Sequence, residues 1–125
     1  MTLRKDLQYL QYTYGDSPVL YRMSDGRMLV FAYDSYSVAP TEWARALKPG
    51  HLSIRGTDSD AFVVGLVVDH AHLDHIVKSG FDGFYTYFAT NGFSYGSTWN
   101  HWRELGEWAD QHEKLFVPCV GPGMY

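Results

Sequence analysis

Three groups of residues in this chain are of types that could do chemistry. The first is His70-Ala71-His72-Leu73-Asp74-His75, imidazoles and a carboxylate packed into one short stretch. Imidazole nitrogen and carboxylate oxygen are good ligands for zinc. The second group gathers at the ends of apolar runs: Tyr33, Asp34 and Tyr36 after one, Tyr85, Tyr87 and Asn91 within and after another. A tyrosine offers a ring that can stack on a sugar face and a hydroxyl that needs a partner when buried. The third group is the scattered carboxylates, of which Asp34 is the best placed. Each group also has a plainer reading. The histidines suit a solvated helix start, Tyr85 a packed core, Asp34 a loop cap, and Asn91 a turn position tolerating positive φ.

The elements that must position these residues follow from period and punctuation. Leu3, Leu7, Leu10 and Tyr14 recur at helical spacing from Thr2 to Tyr14, and Gly15 stands where a C-terminal cap belongs. Met28 to Tyr33 reads as a strand. Pro40 suits the first position of a helix through Leu47, which Lys48-Pro49-Gly50 stops. Ser53 to Thr57 is loop-like, and Phe62 to Val68 is a second strand. A helix from about His70 to Lys78 ends at Gly80. The aromatic and β-branched run Phe81 to Ala89 predicts a third strand, with Gly83, Tyr85 and Tyr87 on one face and Phe84, Thr86 and Phe88 on the other. Thr90-Asn91-Gly92 breaks it with turn chemistry. A helix from Trp99 to Glu113 and a strand from Leu115 to Val120 complete the order, with Gly121 and Gly123 shaping the loop that follows.

That order describes parallel βαβ units, an α/β chain with about four parallel strands. Polar and glycine-rich residues gather after each strand, the working edge of such folds. Two architectures fit: a small doubly wound sheet, or part of a (β/α)8 barrel, since a whole barrel takes on the order of 250 residues. The end of the chain straight after a strand favours the barrel piece. The 125 residues make one domain at most, with 46% hydrophobic and 17% aromatic residues to build a core. The net charge of −4, with ten scattered Lys and Arg, argues against a nucleic-acid partner. One cysteine, Cys119, allows no internal disulfide. No apolar run is long enough for a membrane span.

Four segments carry a resemblance: YDSY at Tyr33 to Tyr36, SIRGT at Ser53 to Thr57, GFDGFYTYFATNGFSYGST at Gly80 to Thr98, and LFVPCVGPGMY at Leu115 to Tyr125. In order and spacing the chain is similar to glycoside hydrolase family 99, the endo-α-1,2-mannosidases. The resemblance implies a (β/α)8 barrel that cuts glucosylated mannose from N-linked glycans within the chain, in the Golgi, and it implies no cofactor. Tyr87 falls on a tyrosine position near the reacting sugar. Tyr33, Asp34, Tyr36, Tyr85 and Asn91 are further candidates for hydrogen bonds or stacking. Pro118-Cys119 stands where the family often has proline-serine.

The HAHLDH stretch supports a different reading, since HxHxDH is also the signature of metallo-β-lactamase-like zinc hydrolases. Against it, the segment falls without a gap on a helix of the barrel family. On a helix, His70 and His75 point about 140° apart. The only later histidines, His101 and His112, share another predicted helix. A metal site of His70, His72, Asp74 and His75 is therefore the minor alternative.

Glycoside cleavage needs two carboxyl groups flanking the scissile bond. Glu42, Glu104, Glu107 and Glu113 all fall on predicted helices, whose charges face solvent in a barrel. The resemblance places the family's catalytic pair on a later strand, as two glutamates three residues apart, and no such strand occurs here. The expectation is thus a single incomplete catalytic domain, the middle of a barrel that binds an oligosaccharide and is inactive alone. A non-catalytic glycan-binding remnant is the other outcome.

Overall fold

The computed structural model describes residues 3–121. Thr2 and the expected loop position Gly123 lie outside them. Helix α1 runs Leu3–Tyr14, strand β1 Met28–Ala32, α2 Pro40–Leu47, β2 Ala61–Leu66, α3 His72–Ser79, β3 Gly83–Tyr85, α4 Trp102–Gln111 and β4 Leu115–Val117. Short 3-10 turns occupy Ser35–Ser37 and Trp99–His101. The four strands form one parallel sheet in the order β1-β2-β3-β4. A doubly wound sheet reverses its order at a switch point. The described strands show no reversal.

The two faces of the sheet differ. Met28, Val63 and Phe84 point outward to meet Leu7 of α1, Trp43 and Leu47 of α2, Leu73 and Ile76 of α3, and Leu105 of α4 in one buried cluster. All four helices therefore cover the same face. Burying each such Leu, Ile or Phe contributes about 1.5–3 kcal/mol. At Gly65 of β2 a Cβ would come within 2.7 Å of Ile76 Cδ1, so the close approach of α3 requires glycine there. Val64, Leu66 and Tyr85 face inward, with Leu29, Phe62 and Val117 packed beside them. On this inner face Phe31 of β1 stacks on Tyr85 of β3, ring centroids 5.1 Å apart. The backbones of β1 and β3 are separated by β2, about 9.5 Å in a flat sheet. Side chains of alternate strands meet in layers inside a (β/α)8 barrel, and this pair forms such a layer. The chain is an arc of such a barrel.

The predicted elements hold with shifted ends. Helix α2 has the bounds expected of it. Gly80 caps α3 at φ 85°, as its position suggests. Helix α3, however, starts at His72 rather than His70, and Trp99–His101 is a 3-10 turn ahead of α4. The third strand is the largest correction: it covers Gly83–Tyr85, not Phe81 to Ala89. Phe81 instead closes α3, its N–H donating to Ile76 O at 3.2 Å, and packs on Trp43. Beyond Tyr85 the chain leaves the ladder, for a reason found at the site below.

At the N-terminal ends of the strands, Arg55 of the SIRGT loop ties the arc together. Its Nε donates to Leu47 O at 2.7 Å. One terminal nitrogen reaches Asp60 Oδ1 and Ala61 O, at 3.0 and 2.8 Å. The other reaches Gly80 O and Asp82 Oδ2, at 3.2 and 2.9 Å. All five guanidinium N–H groups are thereby used. Asp82 also accepts the Val63 N–H at 2.8 Å, so its carboxylate is spent on holding the strand ends.

The inner face leads to an expectation for the 125 residues expressed by themselves. Phe31 and Leu115 are 48% and 40% exposed there, on a concave apolar surface flanked by strand edges. Such surfaces associate. Size-exclusion chromatography with light scattering is expected to show oligomers or aggregates; a monodisperse monomer with cooperative unfolding would contradict this.

Candidate substrate site

The site is built where β1 and β3 end. After Ala32, Tyr33 leaves the strand and Asp34 takes a left-handed backbone, φ 49° and ψ 31°. That turn is held from two sides. Ser35 Oγ accepts the Leu66 N–H of β2 at 2.8 Å, and the Trp43 indole of α2 donates to Ser35 O at 2.8 Å. The Tyr36 hydroxyl donates to Asp34 Oδ1 at 3.1 Å. The Tyr36 ring lies flat on the His72 imidazole, 4.2 Å between centroids at 7°.

At the end of β3, Tyr87 has φ 59°, and the Phe88 N–H donates to Thr86 O at 2.6 Å. A bond spanning two residues around a positive φ is a γ-turn of the rare, strained hand. This turn is what stops β3. Thr86 is pinned below it, fully buried, its Oγ1 accepting the Cys119 N–H at 2.9 Å. Tyr87 thus reaches the inner side through a turn rather than by strand parity. Phe88 does not enter the helix-facing layer but packs against Tyr87 and Phe93, which corrects the face assigned to it. Strained non-glycine residues persist only where their surroundings hold them, and they cluster at functional sites. Among the described residues three non-glycine positions have positive φ: Asp34, Tyr87 and Glu113. Two of the three stand on this edge.

The two strand ends meet. Tyr33 and Tyr87 touch edge to face with centroids 5.0 Å apart, above the Phe31–Tyr85 stack. Both upper rings are largely open, at 59% and 50% exposure. The negative charge of Asp34 raises the Tyr33 pKa, and its hydrogen bond raises that of Tyr36. Burial pushes Tyr85 up to about 12. These three phenols therefore remain protonated donors near neutral pH. Ring faces, neutral hydroxyl donors and one carboxylate acceptor suit a ligand with hydroxyls and C–H-rich faces, as a sugar has. They suit binding and orientation rather than proton transfer.

Of the residues singled out from sequence, the structure brings Tyr33, Asp34, Tyr36, Tyr85 and Tyr87 together at this edge. Asn91 plays another part: its Oδ1 accepts the Trp99 N–H at 2.9 Å and closes the loop, while the positive φ falls on Gly92. The glutamates stand elsewhere, Glu42 on α2, Glu104 and Glu107 on α4, and Glu113 just after it.

The zinc reading of HAHLDH is overturned by how its side chains are spent. His72 Nδ1 accepts the N–H groups of Val68 and Asp69, at 3.0 and 3.1 Å. His75 bonds Val38 O through Nε2 and the Ser79 hydroxyl through Nδ1. Asp74 pairs with Lys78 at 2.8 Å, and His70 is exposed beside Glu104. Among the described residues no three His, Cys, Asp or Glu converge on a common point. Nor is any described helix long and apolar enough to cross a membrane.

An arc of a (β/α)8 barrel with a sugar-suited edge defines the class, and comparison with known proteins gives the family. The family model of glycosyl hydrolase family 99 matches residues 1–125. The glycoprotein endo-α-1,2-mannosidase of Xenopus laevis is 45% identical over 98% of this chain. That of Rattus norvegicus is 40% identical over 97%. A solved endo-α-mannosidase of the family from Bacteroides thetaiotaomicron superposes with a TM-score of 0.92, at 45% identity over 98% of this chain. This chain belongs to glycosyl hydrolase family 99. It spans about 28% of the Xenopus relative and 38% of the bacterial chain.

Proposed function

We propose that this chain forms the substrate-binding wall of an endo-α-1,2-mannosidase acting on glucosylated mannose of N-linked glycans. The observation that supports it most is the meeting of Tyr33 and Tyr87, each beside or in a strained turn, on an open inner edge. Tyr87 and Asp34 hold hydroxyls of the reacting sugar; Tyr33 offers a ring face; Tyr36 steadies Asp34, and Tyr85, stacked on Phe31, floors the edge. The acid and base that cleavage requires are a second contribution, from the rest of a family-length protein. Work in the Golgi is part of the same reading and is checked by co-localisation with a Golgi marker.

The reading is tested in a protein of full family length that contains residues 1–125. Incubated with a glucosylated high-mannose oligosaccharide, it is expected to release a glucosyl-mannose disaccharide, identified by mass spectrometry. Release of free glucose, or no release above a mock preparation, overturns the proposal.

A further inference from the structure

We propose that His72 is a positioning residue of the sugar site, which as a neutral imidazole supports Tyr36 and through it fixes the carboxylate of Asp34. The inference rests on reading the end of β1 as a sugar-binding edge. Its geometry is a continuous path from one loop to another. His72 Nδ1 takes two backbone N–H groups at the end of β2, from Val68 and Asp69. A nitrogen that accepts two donors carries no proton, so the ring hydrogen sits on Nε2. The ring face carries Tyr36 at 4.2 Å, and the Tyr36 hydroxyl holds Asp34 Oδ1. The Asp34 side chain makes no cap bond to the turn it opens. Tyr36 is thus what orients it.

Protonation at Nδ1 would set a third N–H against the two it accepts. The ring must then leave its seat, and Tyr36 loses the surface it lies on. The groups facing His72 are Asp69 in the preceding turn, His75 on its own helix, and Tyr36 with Asp34 behind it in the turn after β1. Burial holds its pKa below the ordinary histidine value; Asp69 opposes this and His75 adds to it. A lowered folded pKa fixes the sign. The stabilising contribution is present above about pH 6.5 and is lost as pH falls through the lower folded value.

The test uses the family-length protein containing this chain, as wild type, His72→Asn and His72→Ala. Asparagine keeps an acceptor near the Nδ1 position and cannot ionise. KM for the glucosylated oligosaccharide is followed from about pH 7.5, above the ordinary histidine value, down to the lowest pH at which each protein stays folded. Wild type is expected to show KM rising as pH falls below the ordinary histidine value and reaching roughly tenfold at the acid end of the series, the size of one lost charge-assisted hydrogen bond. In His72→Asn the ratio is expected to fall to near one. Independently, the Tyr36 phenol, followed by 13C labelling, is expected to titrate lower in His72→Ala than in wild type, as its bond to Asp34 loosens. A wild-type KM that ignores pH, or a Tyr36 titration unmoved by His72→Ala, overturns the role of His72 alone. Failure of the wild type to cleave at any pH of the series overturns the function reading and this role together.

Discussion

Replacing Arg55 with alanine in a family-length protein is expected to cost about 3–5 kcal/mol of stability, the usual penalty for removing one partner of a buried ion pair. The guanidinium and both its carboxylates are shielded, with side-chain exposures of 17% for Arg55, 19% for Asp60 and 17% for Asp82. Alanine leaves those two carboxylates without their main cation, and strips donors from the carbonyls of Leu47, Ala61 and Gly80. Arg27 stands near both acids, at 4.0 and 3.8 Å, too far to replace five short bonds. Arg55→Lys should fall between, because an ammonium has three donors and cannot match the planar fork. Differential scanning fluorimetry reads the effect. An Arg55→Ala protein that melts with wild type would show that the network contributes nothing.

Tyr87→Phe is expected to lower turnover by about 2–4 kcal/mol in barrier height, the range for losing one hydrogen bond to charge developing in a transition state. The substitution removes a single oxygen. It keeps the ring that touches Tyr33 and Phe88, and it keeps the γ-turn, whose bond runs between backbone atoms. The melting temperature should therefore stay near that of wild type while kcat drops. Unchanged kcat would remove Tyr87 from the reacting centre; a large loss of stability would make the tyrosine a structural residue.

Much of the frame was legible in the sequence, because local chemistry and tertiary demand agree there. Pro40 opens α2 and Lys48-Pro49-Gly50 closes it, so both ends could be read without knowing what the helix packs on. Gly80 likewise announced the end of α3. The third strand was not legible. Phe-Tyr-Thr-Tyr-Phe is as strand-like as a segment can be by propensity, and only surroundings far along the chain force Tyr87 into positive φ. Those surroundings are Tyr33 against its ring and Cys119 on Thr86. Arg55 shows the same limit: SIRGT stood out as a motif, but Asp82 is 27 residues away and nothing local marks it as a partner. HAHLDH was legible as chemistry and misleading as function. Its spacing fits a metal, yet α3 begins at His72, and His72 Nδ1 and both His75 nitrogens are taken by backbone and Ser79.

In the proposed function the ends of β1 and β3 form the wall on which the sugar sits. A crystal structure of the family-length protein with a glucosyl-mannose disaccharide tests it most directly. The expected result is a sugar hydroxyl within about 2.6–3.2 Å of the Tyr87 hydroxyl and another at the same range from an Asp34 carboxylate oxygen. A disaccharide bound with neither residue in contact would contradict it.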